Sequence, residues 1–100
     1  MPHHRVWQFR PPRQAEQAFA AAYAADGPWA LLFARDPGFI ATRRLRPADC
    51  GGWWLTIDNW DSLAAFERFQ RDQGDAYRAL DAELEGIAGE ERFVGAFHDI

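Results

Sequence analysis

The stretch Trp53 to Ser62, Trp-Trp-Leu-Thr-Ile-Asp-Asn-Trp-Asp-Ser, has the pattern of a β-strand that runs directly into the start of a helix. Side chains alternate between the two faces of a strand. One face carries Trp53, Leu55 and Ile57, and the other carries Trp54, Thr56, Asp58 and Trp60. Asp61 or Ser62 is placed to cap the first free amides of the helix. Because Trp60 ends the strand where a sheet meets a helix, we expect a cleft beside it.

Length and composition predict one domain, residues 1–100, with a single core. Five Trp and eight Phe are many for this length. These side chains either fill the core or line a site for a flat, apolar ligand.

The charge pattern argues against nucleic acid as a partner. The net charge is −4, and the second half of the chain carries eleven acids against four Arg. A chain of this kind lacks the wide basic face that phosphate binding needs. The lone Cys50 and the absence of a long apolar stretch predict a cytoplasmic protein without a disulfide, a signal peptide or a membrane span.

The other elements are predicted from hydrophobic periodicity. Three further strands are expected at Arg5–Arg10, Phe39–Arg46 and Arg92–His98. Helical patterns begin at Arg13, at Pro28, at Ser62 (to Arg71) and at Tyr77 (to Ile87, with Gly89 ending it). His3 and His4 are expected in a frayed leader. In the last strand, Phe93 and Phe97 are predicted to share one face.

The element order is strand, helix, strand, strand, helix, strand. Two right-handed crossovers place both helical segments on the same face of one sheet. The other face is apolar as well and is left bare, so a second copy of the chain is expected to cover it. The sequence therefore predicts an α+β homodimer with sheet packed on sheet.

Five pieces of sequence together resemble the antibiotic biosynthesis monooxygenase family. They are Val-Trp-Gln-Phe-Arg-Pro-Pro from Val6, Phe-x-x-x-Tyr from Phe19, Asp-Pro-Gly-Phe-Ile from Asp36, Leu-Thr-Ile-Asp-Asn-Trp-Asp-Ser-x-x-x-Phe from Leu55, and Glu-Arg-Phe-Val-Gly-Ala-Phe from Glu91. The resemblance implies a ferredoxin-like βαββαβ fold with a four-stranded antiparallel sheet, assembled as a dimeric α+β barrel.

The resemblance also implies a function. Some family members oxidise aromatic polyketide intermediates with molecular oxygen and without a metal or flavin, in a pocket between the sheet and the helices. The position of that pocket is matched by Trp60. For this chain it implies a cofactor-independent monooxygenase of a flat aromatic or quinone-like molecule. The aromatic residues assigned to substrate binding are Trp7, Tyr23, Trp29, Phe66 and Phe69.

Candidate catalytic residues surround the end of the third strand, and each has a structural alternative. Trp60 is either a pocket wall with an indole donor or a core anchor with a satisfied N–H. Asp58 is either a desolvated base or an acid paired with Arg43 or Arg44 across the hairpin. Asn59 is either a substrate donor or, because alternation turns it to the other face, a turn contact.

Tyrosine and histidine leave similar alternatives open. Tyr77 either presents its hydroxyl to the ligand or, like Tyr23, is a core residue with its tip at the rim. His98 is interpreted as a surface or interface residue.

Haem binding and simple ligand binding are the remaining alternatives. The haem-degrading branch of the family requires an iron-ligating His on the helix after the strand-end Trp, and no His occurs between Asp61 and Phe97. We therefore expect no metal and no cofactor. A non-enzymatic dimer that binds a small apolar molecule is the alternative to the monooxygenase.

Overall fold

The computed structural model describes residues 1–100 and contains one four-stranded antiparallel sheet. The strands are β1 (His3–Arg10), β2 (Phe39–Leu45), β3 (Trp54–Trp60) and β4 (Glu90–His98). Their order in the sheet is β2-β3-β1-β4, and every neighbouring pair is antiparallel. This is the predicted ferredoxin-like arrangement, with β2 and β3 joined as a hairpin.

The helices are α1 (Glu16–Ala22), α2 (Pro28–Phe33) and α3 (Leu63–Glu83), with a 3₁₀ turn at Arg13–Ala15 before α1. Pro28 occupies the first turn of α2, where its missing N–H costs nothing. Ser62 caps α3, because its hydroxyl accepts a hydrogen bond from the Ala65 N–H at 3.1 Å. None of the helices combines the length and hydrophobicity that a membrane span requires.

The predicted interruption between two helical stretches lies within α3. The polar segment 71–75 contains a kink at Gln73, where a φ of −118° and a ψ of 16° are not helical. The helix then ends at Glu83, so Ile87 lies beyond it. Gly86 has a φ of 89°, which a right-handed helix cannot include, and the chain therefore leaves the helix before Gly89.

A tight turn fixes the start of β2 against the start of α3. Asp36 accepts a hydrogen bond from the Gly38 N–H at 2.9 Å and two from Arg68, at 2.7 and 2.8 Å. A Cβ atom at Gly38 would lie 2.3 Å from the Cβ of Ala65, so only glycine allows this approach. The turn delivers Phe39 to its position opposite Trp60.

All the helices pack on the same face of the sheet, as predicted. The main core cluster joins α2 and α3 to the end of β3 and consists of Trp29, Leu32, Phe33, Trp60, Ala65 and Phe69. A second cluster joins α1 to the other end of the sheet through Phe9, Phe19 and Trp54. No helix covers the opposite face, where Phe97 is 50% exposed.

Two expectations about the strands are wrong. The register between β1 and β4 shifts, so that Val6 pairs with Gly95 but Trp7 pairs with Phe93. This bulge places Phe93 on the helix-covered face and leaves Phe97, opposite His4, on the bare face. The N-terminal histidines are also not a frayed leader, because His3 and His4 begin β1 and pair with both neighbouring strands.

Candidate functional site

A cavity of about 170 Å³ lies between the sheet and α3, beside Trp60. Its apolar walls are Trp7, Phe33, Trp60, Phe66 and Phe69. Its polar lining consists of Arg5, Asp58, Gln70, Tyr77 and Arg78, with Gly74 at the kinked part of α3. An apolar cavity of about 150 Å³ is large enough to bind benzene. The size therefore suits a ligand of one or two rings.

A smaller cavity of about 40 Å³ adjoins the first and shares Trp7, Phe33 and Asp58 with it. Tyr23 and Trp29 line this second space. The five aromatic residues expected to bind substrate thus divide into two groups. Trp7, Phe66 and Phe69 line the larger cavity, whereas Tyr23 and Trp29 stand behind it.

Asp58 lies on the shared wall of the two cavities. Its partner is not Arg43 or Arg44, as expected, but Thr42, whose hydroxyl donates to Asp58 Oδ1 at 2.6 Å. The β2–β3 register explains the difference, since Thr42 stands directly opposite Asp58. Arg43 is opposite Ile57, and Arg44 donates to the Ala20 carbonyl instead. Burial raises the pKa of Asp58 to about 6, because the Thr42 hydrogen bond and the charge of Arg5 offset only part of the desolvation.

Arg5 is a cavity residue that we did not predict from the sequence. It faces Asp58 directly across the β1–β3 pairing, yet no ion pair of the chain includes it. Its guanidinium carbon lies 4.0 Å from the centroid of the Phe66 ring and 4.7 Å from that of Phe93. Burial lowers the pKa of Arg5. The sequence did contain a sign of this role, because strand alternation puts Arg5 on the same face of β1 as Trp7 and Phe9.

Two other candidate residues, Trp60 at the end of β3 and Tyr77 on α3, also line the cavity. Trp60 is 1% exposed, and its indole Nε1–H has no hydrogen-bond partner. Trp60 is thus a cavity wall whose donor is not satisfied within the chain. Tyr77 lies on the rim, with its ring centroid 5.0 Å from that of Trp29. Burial raises the pKa of Tyr77, and the phenol stays protonated at neutral pH.

Asn59 is not brought together with these residues. It lies on the bare face of the sheet, where its Oδ1 is 2.6 Å from His4 Nδ1. His4 Nε2 is in turn 2.7 Å from an Asp99 oxygen. Asn59 therefore lies on the other face, as alternation indicated, but its contact is with His4 across the β1–β3 pair and not with a turn.

Solved structures with the same fold span nearly all of the chain. SnoaB from Streptomyces nogalater, a cofactor-independent oxygenase, is 24% identical, with a TM-score of 0.65 and coverage of 99% of this chain and 93% of that one. A putative monooxygenase from Shewanella loihica is 19% identical, with a TM-score of 0.69 and coverage of 99% and 94%. MhuD from Mycobacterium tuberculosis, a haem degrader with two haems bound in its active site, is 20% identical, with a TM-score of 0.66 and coverage of 98% and 95%.

A comparison with curated protein sequences gave no match. The sequence profile of a known family does match, over residues 2–83. The match runs from before β1 to the last residue of α3, and so includes every residue that lines the larger cavity. The chain belongs to the antibiotic biosynthesis monooxygenase family.

Proposed function

We propose that this protein is a monooxygenase that oxidises a small, flat aromatic or quinol-like molecule with molecular oxygen, without a metal or flavin. One observation carries the proposal. A carboxyl group with a raised pKa, Asp58, and a guanidinium that forms no direct ion pair, Arg5, face each other from adjacent strands at an aromatic cavity. Family membership and the likeness to SnoaB support it.

The first requirement of this reaction is a binding site for a flat ring. The indoles of Trp7 and Trp60 and the ring of Phe66 offer apolar surfaces at the cavity wall. The volume of about 170 Å³ favours a substrate of one or two rings, below the usual range of about 300 to 1,000 Å³ for larger ligands.

The second requirement is a base that turns the substrate into an electron-rich anion. A carboxyl with a pKa of about 6 is ionised at neutral pH and is a stronger base than an ordinary aspartate. The Thr42 hydroxyl donates a hydrogen bond to Oδ1 of Asp58. The other carboxylate oxygen, Oδ2, can accept the proton of the substrate.

The third requirement is stabilisation of the negative charge that remains on the substrate. The Arg5 guanidinium stands opposite the base and has no carboxylate partner, so a substrate oxyanion supplies the counter-charge. The Trp60 Nε1–H and the Tyr77 hydroxyl offer further donors at the same cavity. We assign Asp58 as base, Arg5 as the main anion-binding group, and Trp60 and Tyr77 as supporting donors.

The anion can then reduce oxygen directly. One electron passes to O₂, the two radicals combine to a peroxide at a ring carbon, and the peroxide takes up a proton. Loss of the remaining C–H proton breaks the O–O bond and leaves a carbonyl and water. A CH₂ group and O₂ thus become C=O and H₂O, with no outside reductant.

Haem is bound by one protein of the same fold, but the residues that line this cavity do not suit it. No His, Cys or Met side chain lines the cavity. Tyr77 is held in the protonated form, which is a poor iron ligand. The cavity therefore offers no good axial ligand for a haem iron.

We further propose that the protein acts as a homodimer in the cytoplasm. The bare sheet face carries exposed Phe97, Val94 and Leu45, and a second copy of the same face would bury them. The exposed, unpaired thiol of Cys50 fits a reducing compartment.

Oxygen uptake tests the function. Purified, chelator-treated protein is incubated with a panel of hydroxylated naphthalenes and quinols of one or two rings, in parallel with Trp60→Phe and Tyr77→Phe. We expect uptake of one O₂ per substrate by the wild type, and slower uptake when either donor is removed. Tight binding of the panel without any uptake would contradict the enzymatic proposal and favour the non-enzymatic binding protein.

A further inference from the structure

Two buried nitrogen atoms on facing residues of β1 and β3 have no hydrogen-bond partner, and one of the two residues, Trp60, lines the cavity. His3 and Trp60 are directly opposite in the β1–β3 pairing and are 2% and 1% exposed. Neither His3 Nε2 nor Trp60 Nε1 is satisfied. Buried polar groups in folded proteins are nearly always hydrogen-bonded, so two unsatisfied ones on facing residues call for a functional reason.

The other nitrogen of His3 is connected to solvent. His3 Nδ1 lies 2.9 Å from Nε2 of His98, the cross-strand neighbour in β4, and His98 is exposed. The Phe66 ring, which lines the cavity, has its centroid 5.9 Å from that of His3 and 5.5 Å from that of Trp60. The line from solvent therefore runs through His98 and His3 to the cavity wall.

We propose that His98 and His3 form a proton relay that delivers protons from solvent to the oxygen-derived end of the substrate. The proposal rests on the proposed function and adds the acid that the reaction needs. His98 Nε2–H passes a proton to His3 Nδ1, and His3 gives up the proton on Nε2. The His3 tautomer then resets when Nδ1 returns its proton to His98 and Nε2 takes up the C–H proton that Asp58 accepted, so that no net proton is consumed.

The chemistry needs an acid that is separate from the base. When the peroxide collapses, Asp58 takes the C–H proton while the leaving oxygen must gain one to depart as water. The Asp58–Arg5 pair and the Trp60–His3 pair are successive rows on one face, about 7 Å apart along the strands. The base and the relay therefore act at opposite ends of one small substrate.

The surroundings of His3 keep it neutral. Its pKa is lowered by burial first, and then by Arg5 and His4 on β1 and by His98 on β4. Glu67 on α3 is the one facing group that acts in the opposite direction. A neutral imidazole with one bare nitrogen is the form that transfers protons by exchanging tautomers.

The test compares His98→Ala, His3→Gln and the control His4→Gln in the oxygen-uptake assay. His4 is the adjacent histidine but points to the bare face. We expect uptake to fall about 10²-fold in His3→Gln, the lower end of the range for a lost proton-transfer group, and by a smaller factor in His98→Ala, with little change in His4→Gln. Added imidazole should restore uptake in His98→Ala, because that site is open to solvent.

The other possible results of this assay distinguish failure of the relay from failure of the proposed function. If the wild type turns over but both relay variants stay within twofold of it, the relay is refuted and the proposed function stands. Loss of uptake in His98→Ala that imidazole does not restore, or an equal loss in His4→Gln, would show a structural role only. If the wild type consumes no oxygen with any substrate, both proposals fall together. His98→Ala changes an exposed side chain and keeps the test valid if His3→Gln fails to fold.

Discussion

At the scale of single residues, the pairing of the strands decides what surrounds Asp58 in the cavity. Strand alternation places it on the face of Trp60, and the structure shows it there. Its partner depends on how β2 pairs with β3, and the register shift between Phe39 and Ala41 brings Thr42 opposite it, where an unshifted register would bring Ala41. Arg5 was not predicted as a site residue. A charged residue on the core face of a strand indicates only an imperfect strand pattern unless the cavity beside it is known.

The raised pKa of Asp58 predicts how stability depends on pH. In the unfolded chain the carboxyl titrates near 3.8, and in the folded protein near 6. The folded state holds the extra proton between these values, so the free energy of unfolding should decrease as pH rises from about 4 to above 6. Asp58→Asn removes this decrease and should be more stable than the wild type at pH 7, by about 3 kcal/mol. Urea unfolding at pH 4 and pH 7 measures both proteins, and an identical pH dependence would contradict the assignment.

Activity should show the opposite trend. The rate constant kcat/KM of the wild type should increase as pH rises through about 6, because the base must be ionised. In Asp58→Asn we expect a loss of about 10²- to 10⁴-fold and no such rise. A variant that keeps the wild-type profile would exclude Asp58 as the base.

Removal of the Arg5 charge should weaken catalysis more than folding. Arg5→Met keeps an apolar stem near Phe66 but removes the counter-charge for the oxyanion. We expect kcat/KM to fall by about 10²- to 10³-fold. Arg71→Met, which removes an exposed arginine outside the cavity, is the matched control and should leave kcat/KM unchanged. Equal effects of the two substitutions would argue against an anion-binding role for Arg5.

At the scale of elements, local patterns identified the four strands and the capped start of α3. They could not identify the β4 bulge, which depends on pairing with β1, 80 to 95 residues away in sequence. The polar run 71–75 did indicate the break within α3, which lies at Gln73. Local patterns did not indicate where the second stretch ends, because the chain leaves the helix before Gly86, whose φ is 89°, rather than at Gly89.

The Ser62 cap provides a prediction about how α3 is anchored beside Trp60. Ser62→Ala leaves the Ala65 N–H without its acceptor and should lower the free energy of unfolding by about 1 kcal/mol. Ser62→Asp keeps an acceptor oxygen and should stay close to the wild type. Denaturant unfolding of the three proteins tests this, and equal stability of the alanine and aspartate variants would contradict the role of the cap.

At the scale of the whole molecule, the sequence predicted a sheet with two apolar faces, and the structure shows helices on only one of them. The bare face is mixed, since Arg43 and Arg10 stand among its apolar residues. The exposed apolar side chains there are the reason that we expect a second copy. Chain topology decided which face the helices cover, but the partner of the other face depends on intermolecular packing that a single chain does not encode locally.

The dimer can be tested by placing a charge on the bare face. Phe97→Glu should shift the protein from dimer to monomer in sedimentation equilibrium, because an unpaired carboxylate would be buried in the interface. Leu31→Glu alters an exposed apolar residue on α2 and should leave the dimer intact. A wild type that sediments as a folded monomer at micromolar concentration would contradict the proposed assembly.

The proposed function requires that the cavity between β3 and α3 hold a substrate oxyanion between Asp58 and Arg5. A crystal structure of the protein with a hydroxylated naphthalene, grown without oxygen so that the ligand survives, shows whether it does. We expect the ring against Trp60 and Phe66, with its oxygen within hydrogen-bond distance of the Arg5 guanidinium. A ligand bound on the bare sheet face, or a cavity that stays empty at saturating ligand, would refute this assignment.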